Sequence, residues 1–177
     1  MTNASHRIDN AKRRRPDDHP RQAMLTPEYV LEPVRRALGG HIGLDPCTEP
    51  DNPTRALQFY HLPDDGCILP WDADSVFVNP PYGEAKDRWL LRCMQEGSRR
   101  KVIALVPAAT ETAVFQDALN VCSSVVLVRA RLRFEALREN RRKWAASHGS
   151  AIFGFGVDLS PLDGLGAIMV NSARRLI

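Results

Sequence analysis

Asn79, Pro80, Pro81 and Tyr82 stand in a row, a combination that a plain turn does not need. They follow Ser75-Val76-Phe77-Val78, whose branched and aromatic residues favour a short buried strand. Asn79 precedes a proline, so its backbone is pushed out of the helical region and the strand ends in a rigid polar tip. The Asn79 side chain offers a carbonyl acceptor. Pro80 has no N–H to give, but its own carbonyl still accepts. Two fixed acceptors side by side suit a nitrogen that carries two hydrogens, such as an exocyclic amino group or a primary amide. With both hydrogens held, the lone pair stays on nitrogen and can be aimed at an electrophile. Tyr82 adds a flat face on which a base can stack, and a base in a duplex must flip out to reach it.

A second group carries charge. Arg129, Arg131 and Arg133 alternate with Ala130, Leu132 and Phe134, and Arg138, Arg141, Arg142 and Lys143 follow. These seven bases can follow a phosphate backbone beside the tip; a solvated strand end and helix face is the other reading. Trp144 is placed to stack on a base or to anchor the loop. His148 is the only histidine nearby, and an amine that loses its proton late, to water, needs no histidine base.

The elements that position these groups alternate. Residues 25–40 read as a helix with Thr26 at the N-cap, Pro27 at the first helical position and Gly39-Gly40 as the stop. A strand over 41–44 ends at Asp45-Pro46, and 51–61 reads as a short helix or turn. An amphipathic helix spans 84–100, with Trp89, Leu90, Cys93 and Met94 on one face. A continuous apolar strand covers 101–108, and Thr110 caps a second amphipathic helix. Residues 123–135 read as one strand, 151–157 as another and 166–170 as a last one. The pattern predicts an α/β domain with a mostly parallel sheet and helices on both faces. Ligands of such sheets bind beyond the carboxyl ends of the strands, where Asp45-Pro46, Asn79-Pro80 and Pro107-Ala108 would fall on one side.

The chain of 177 residues has room for one domain, placed over 23–177. The net charge of +3 comes from residues 1–22, a basic tail poor in apolar residues and expected to be disordered. Such a tail suits loose polyanion binding or service as a solubilising leader. No apolar run is long enough to span a membrane and no signal-peptide pattern opens the chain, which predicts a cytoplasmic protein. The four cysteines are widely spaced, without a zinc-ligand pattern, so free thiols and no metal are expected.

Asn-Pro-Pro-Tyr after an apolar strand resembles the catalytic motif of amino-group methyltransferases that use S-adenosylmethionine. Thr26-Pro27 resembles the helix-opening segment that holds the methionine end of that cofactor in N6-adenine methyltransferases. "LDPCT", with Asp45 and Pro46, is similar to a reduced first cofactor motif, and "DDGCILPW" to the acidic stretch whose Asp65 would contact the adenine of the cofactor. "ALVPAAT" and "RARLRF" look like later strands of the same family. Residues 24–156 are thus similar to the small phage-type (Dam-like) DNA N6-adenine methyltransferases. The resemblance implies a Rossmann-like fold reduced in size. It implies methyl transfer from S-adenosylmethionine to adenine N6 in duplex DNA, acting as a monomer at a specific site. Asn79, Pro80, Pro81 and Tyr82 would be catalytic; Thr26, Asp45, Pro46 and Asp65 would bind the cofactor. The sequence departs from the family in lacking a glycine-rich turn after the first strand, and Glu49 and Asp51 are only candidates for the ribose contact. A methyltransferase of RNA or of a protein glutamine amide stays open, as does a non-catalytic nucleic-acid-binding protein on a decayed fold.

Overall fold

A seven-stranded sheet covered on both faces carries the site. The structure, a computed structural model, describes residues 24–81, 86–136 and 144–172. The basic tail expected over 1–22, Tyr82, and the bases Arg138, Arg141, Arg142 and Lys143 lie outside the described residues.

The strands are β1 (Met24–Leu25), β2 (Leu44–Asp45), β3 (Gln58–Phe59), β4 (Ser75–Val78), β5 (Lys101–Pro107), β6 (Ser124–Val128), β7 (Arg133–Ala136), β8 (Trp144–Ala145), β9 (Ser150–Phe155) and β10 (Gly166–Val170). The helices are α1 (Glu28–Leu38), α2 (Lys86–Glu96) and α3 (Ala113–Val121), with a 3-10 helix over Ser160–Leu165. The main sheet has the order β10-β6-β9-β5-β4-β2-β3, and a three-stranded sheet has the order β1-β7-β8.

The expectation of a mostly parallel sheet is corrected. The pairings among β3, β2, β4 and β5 are parallel, but β9 inserts antiparallel between β5 and β6, and β10 closes the edge antiparallel to β6. The sheet is therefore mixed. The reason it misleads is physical: β9 is buried at every position, and a strand buried on both faces shows the same apolar run whichever way it points.

Helices do cover both faces. Along β5, Val102, Ala104 and Val106 enter a core with Trp71, Trp89, Cys93 and Phe115, beneath α2 and α3. Ile103 and Leu105 enter the opposite core with Val30, Leu31 and Val34 of α1 and Leu159 and Leu162 around the 3-10 helix. This alternation is the two-residue period of a strand. Full burial of a side chain such as Phe77 contributes about 2–3 kcal/mol.

Three local expectations change. The segment 123–135 is not one strand: it leaves the main sheet after Val128, turns with Ala130 at φ 61°, and joins the small sheet as β7. Helix α1 begins one residue later than expected, with Pro27 and not Thr26 at the N-cap. Helix α3 likewise begins at Ala113, with Thr112 and not Thr110 at its N-cap. At the other end of α1, Gly39 takes φ 101° and places its N–H on the Arg35 and Arg36 carbonyls, the left-handed stop that glycine makes without cost.

Candidate active site

β2, β4 and β5 are parallel, so their carboxyl ends emerge together. β6 runs antiparallel to β9, as β5 does, so β6 points the same way and releases Arg129 at that same end. Leu44 pairs with Val76, which sets Asp45 at the end of β2 against the last residues of β4 and Cys47 at the level of Asn79. All four residues of β4 are buried, and such a strand holds Asn79 as a firmly based tip.

Asn79 meets Thr26 here. The Asn79 Nδ2 donates to Thr26 Oγ1 at 3.0 Å, and the Thr26 side chain is 8 % exposed. With Pro27 as the N-cap and no side-chain capping bond on α1, the Thr26 hydroxyl is left for this contact. Thr26 is held from its other side by the small sheet, where Leu25 pairs with Glu135 of β7.

Thr26, Asp45 and Asn79 line one cleft together with Cys47, Thr48, Glu49 and Thr54. Its free volume is about 30 Å3, the room of one water. Asp45 is 2 % exposed. Its Oδ1 accepts from the Cys47 N–H at 3.1 Å and its Oδ2 from the Thr54 hydroxyl at 2.8 Å. Burial pushes its carboxyl up to about 6, with these donors pulling the other way. Burial, and then the neighbouring Asp45 charge, hold the Cys47 thiol well above its ordinary value, so it stays protonated. Glu49 is also raised, first by burial and then by Asp51.

The loop after β2 contains no glycine, yet two of its residues take up left-handed backbone. Asn52 and Arg55 both take positive φ, 49° and 55°. Asparagine tolerates this region because its short amide can bond its own backbone. Here Asn52 Oδ1 accepts from the Ala56 N–H and Nδ2 donates to the Ala56 carbonyl. The turn closes on itself and presents Thr54 to Asp45.

Asp65 and Pro46 stand differently. Asp65 does not line the cleft: its Oδ2 accepts from Arg88 at 2.7 Å and its Oδ1 from the Cys67 N–H. The hydrogen bond from Arg88 holds its carboxyl below the usual range. The Asp65 loop is nonetheless pressed onto the first one. A β-carbon on Gly66 would fall 1.8 Å from the Pro46 carbonyl oxygen, an approach open only to glycine. Trp71, 1 % exposed, donates to the Gly66 carbonyl at 2.8 Å and stacks near Trp89, so it is a packing residue beneath this loop.

Thus Thr26, Asp45 and Asn79 come together, Pro80 is buried beside them, and Pro46 and Asp65 belong to the adjoining loops. Arg129, Arg131 and Arg133 are all exposed, on the segment that leads from β6 into β7. Thr48 and Thr54 escaped the sequence reading; the Asn52-Pro53 turn signal just before Thr54 was the available clue.

A family model for DNA N-6-adenine-methyltransferases (Dam) matches residues 15–158. The chain belongs to this family. Membership in the Dam family supports adenine N6 methylation of DNA as the activity and DNA as the substrate, and it spans every residue of the cleft. No curated protein sequence matches the chain. No helix among the described residues is long and apolar enough to cross a membrane. Nor do the described residues hold a group of three or more His, Cys, Asp or Glu side chains suited to a metal ion.

Proposed function

We propose that the chain methylates adenine N6 in DNA at a specific site, as a monomer with a Rossmann-like use of its sheet, and that the methyl donor is S-adenosylmethionine. The observation that carries this reading is the meeting of Asn79, Thr26 and Asp45 in one cleft at the carboxyl ends of β4 and β2.

The donor set suits that methyl donor. A buried carboxylate, Asp45, and a second one, Glu49, can accept from ammonium and ribose hydroxyl groups, while the hydroxyls of Thr26 and Thr48 can donate to a carboxylate. With a free volume of about 30 Å3, the cleft would have to widen on binding. When bound, the donor supplies a methyl group already activated by positive sulfur. Asp65, on the loop pressed against Pro46, is the proposed contact for its adenine, and opening of the Arg88 pair would free it.

The chain's own part is positioning. Asn79 Oδ1 and the Pro80 carbonyl take the two hydrogens of the target amino group, Pro81 stiffens the tip, and Tyr82 stacks on the base. Held so, the nitrogen keeps its lone pair out of the ring, and its proton leaves to water after transfer. Acceptors aimed in advance at the reacting group are the main source of rate in such a site. Arg129, Arg131 and Arg133, followed by Arg138, Arg141, Arg142 and Lys143, would track the phosphates of the duplex.

The test is transfer of tritium from labelled S-adenosylmethionine to duplex DNA, with Asn79→Ala beside the wild type. Label recovered as N6-methyladenine, and reduced about 100-fold or more in the variant, supports the reading. Label on RNA or on protein amide alone, or none despite a bound methyl donor, refutes it.

A further inference from the structure

The hydrogen bond between Asn79 and Thr26 bears on a problem that the proposed chemistry leaves open. A primary amide is nearly symmetric in shape, and a half-turn about its last bond exchanges oxygen for NH2. Only one of the two orientations gives the target amine an acceptor. The other presents N–H against N–H and leaves the amine with one acceptor in place of two. Some neighbour must choose between them.

We propose that Thr26 is a positioning residue that makes this choice: its hydroxyl oxygen holds Asn79 Nδ2 and so turns Oδ1 toward the target amino group. The proposal rests on the methyltransferase reading above and adds to it a role for Thr26 distinct from holding the methyl donor. The observed bond, 3.0 Å from Nδ2 to Oγ1, has the required polarity. Thr26 is buried and fixed from two directions, by the β1–β7 ladder before it and by α1 after it, so its oxygen is a stationary reference. A threonine hydroxyl can also donate, which would favour the wrong orientation. A negatively charged group bound in the cleft removes that choice by accepting the hydrogen bond of the hydroxyl, which leaves only lone pairs toward Asn79. Thr26 thereby links occupancy of the cleft to readiness of the tip.

The experiment compares wild type, Thr26→Val, Thr26→Ser and Thr26→Ala in steady-state transfer to duplex DNA, with separate Kd values for S-adenosylmethionine and DNA. Valine keeps the shape and removes the acceptor; alanine serves if valine does not fold, as judged by thermal unfolding. The expected result is a fall in kcat of about 10- to 100-fold for Thr26→Val, over and above any rise in KM and Kd for the methyl donor from the lost hydroxyl, with the Kd for DNA within about threefold and near-complete recovery of kcat in Thr26→Ser. A rise in KM and Kd for S-adenosylmethionine with kcat unchanged overturns the proposal and leaves Thr26 as a ligand contact only. Equal activity of all four proteins also overturns it. A wild type that transfers no methyl group defeats the underlying reading and this one with it, and is told apart because no variant is needed to see it.

Discussion

Thr54 donates its hydroxyl to Asp45 Oδ2 at 2.8 Å, and both side chains are buried. Thr54→Val keeps the volume and removes the donor. A buried acceptor left without its partner costs about 1–3 kcal/mol. The variant should therefore lose that much stability in urea unfolding at pH 7.5. The loss of a donor to the charged form should also raise the Asp45 carboxyl further, moving the pH midpoint of S-adenosylmethionine binding upward. An unchanged midpoint would mean that Thr54 does not govern Asp45.

Asp45 predicts a pH dependence of its own. Its folded value, about 6, lies above the ordinary 3.8, so between these the folded chain binds more protons than the unfolded one. The stability that Asp45 contributes is thus fully present below about pH 4 and is lost as pH rises through about 6. Asp45→Asn should flatten this part of the stability profile, and above pH 6 the variant should be more stable than the wild type. Affinity for the methyl donor moves the other way, because an ionised carboxylate is needed: it should strengthen in the wild type as pH rises through 6 and be weak at all pH values in Asp45→Asn. Chemical unfolding and isothermal titration from pH 4.5 to 8 read both effects.

Arg129, Arg131 and Arg133 are exposed at the end of the sheet that holds Asn79. If all three meet phosphates, changing them to alanine should reduce the slope of log K against log salt by about 2–3, nearly alike for every DNA sequence. Their stability effect should be small. A preserved salt slope in a binding titration would remove them from the DNA surface.

Gly66 admits no side chain. A β-carbon there would meet the Pro46 backbone, whereas one on Gly164 would meet nothing within 4 Å. Gly66→Ala should cost about 1–3 kcal/mol, as an overpacked site does, and should weaken methyl-donor binding by separating the two loops. Gly164→Ala is the control and should leave both thermal unfolding and binding unchanged.

What the sequence disclosed, and what it hid, follows from the range of the interactions involved. The tip at Asn79 was legible because prolines restrict the backbone locally. Trp89, Leu90 and Cys93 revealed the buried face of α2 because helical spacing is local too. The direction of β9 was not legible, since its burial pattern is the same in either sense. The break after Val128 was hidden because the arginine alternation continues through it, although Ala130 turns the chain. Thr26 looked like an N-cap, and only a residue 53 positions away shows what its hydroxyl meets. Thr54 was missed for the same kind of reason: its partner lies across a turn built on Asn52.

The β1–β7 ladder joins Leu25 to Glu135, segments that leave the ribosome more than a hundred residues apart. Asn79 is therefore synthesised long before the strand that steadies its Thr26 partner exists. A nascent chain that has emerged only through β5 can carry the tip and the Asp45 loop, yet it lacks the brace that seats Thr26. The order of synthesis thus delays completion of the site until most of the polypeptide has been made.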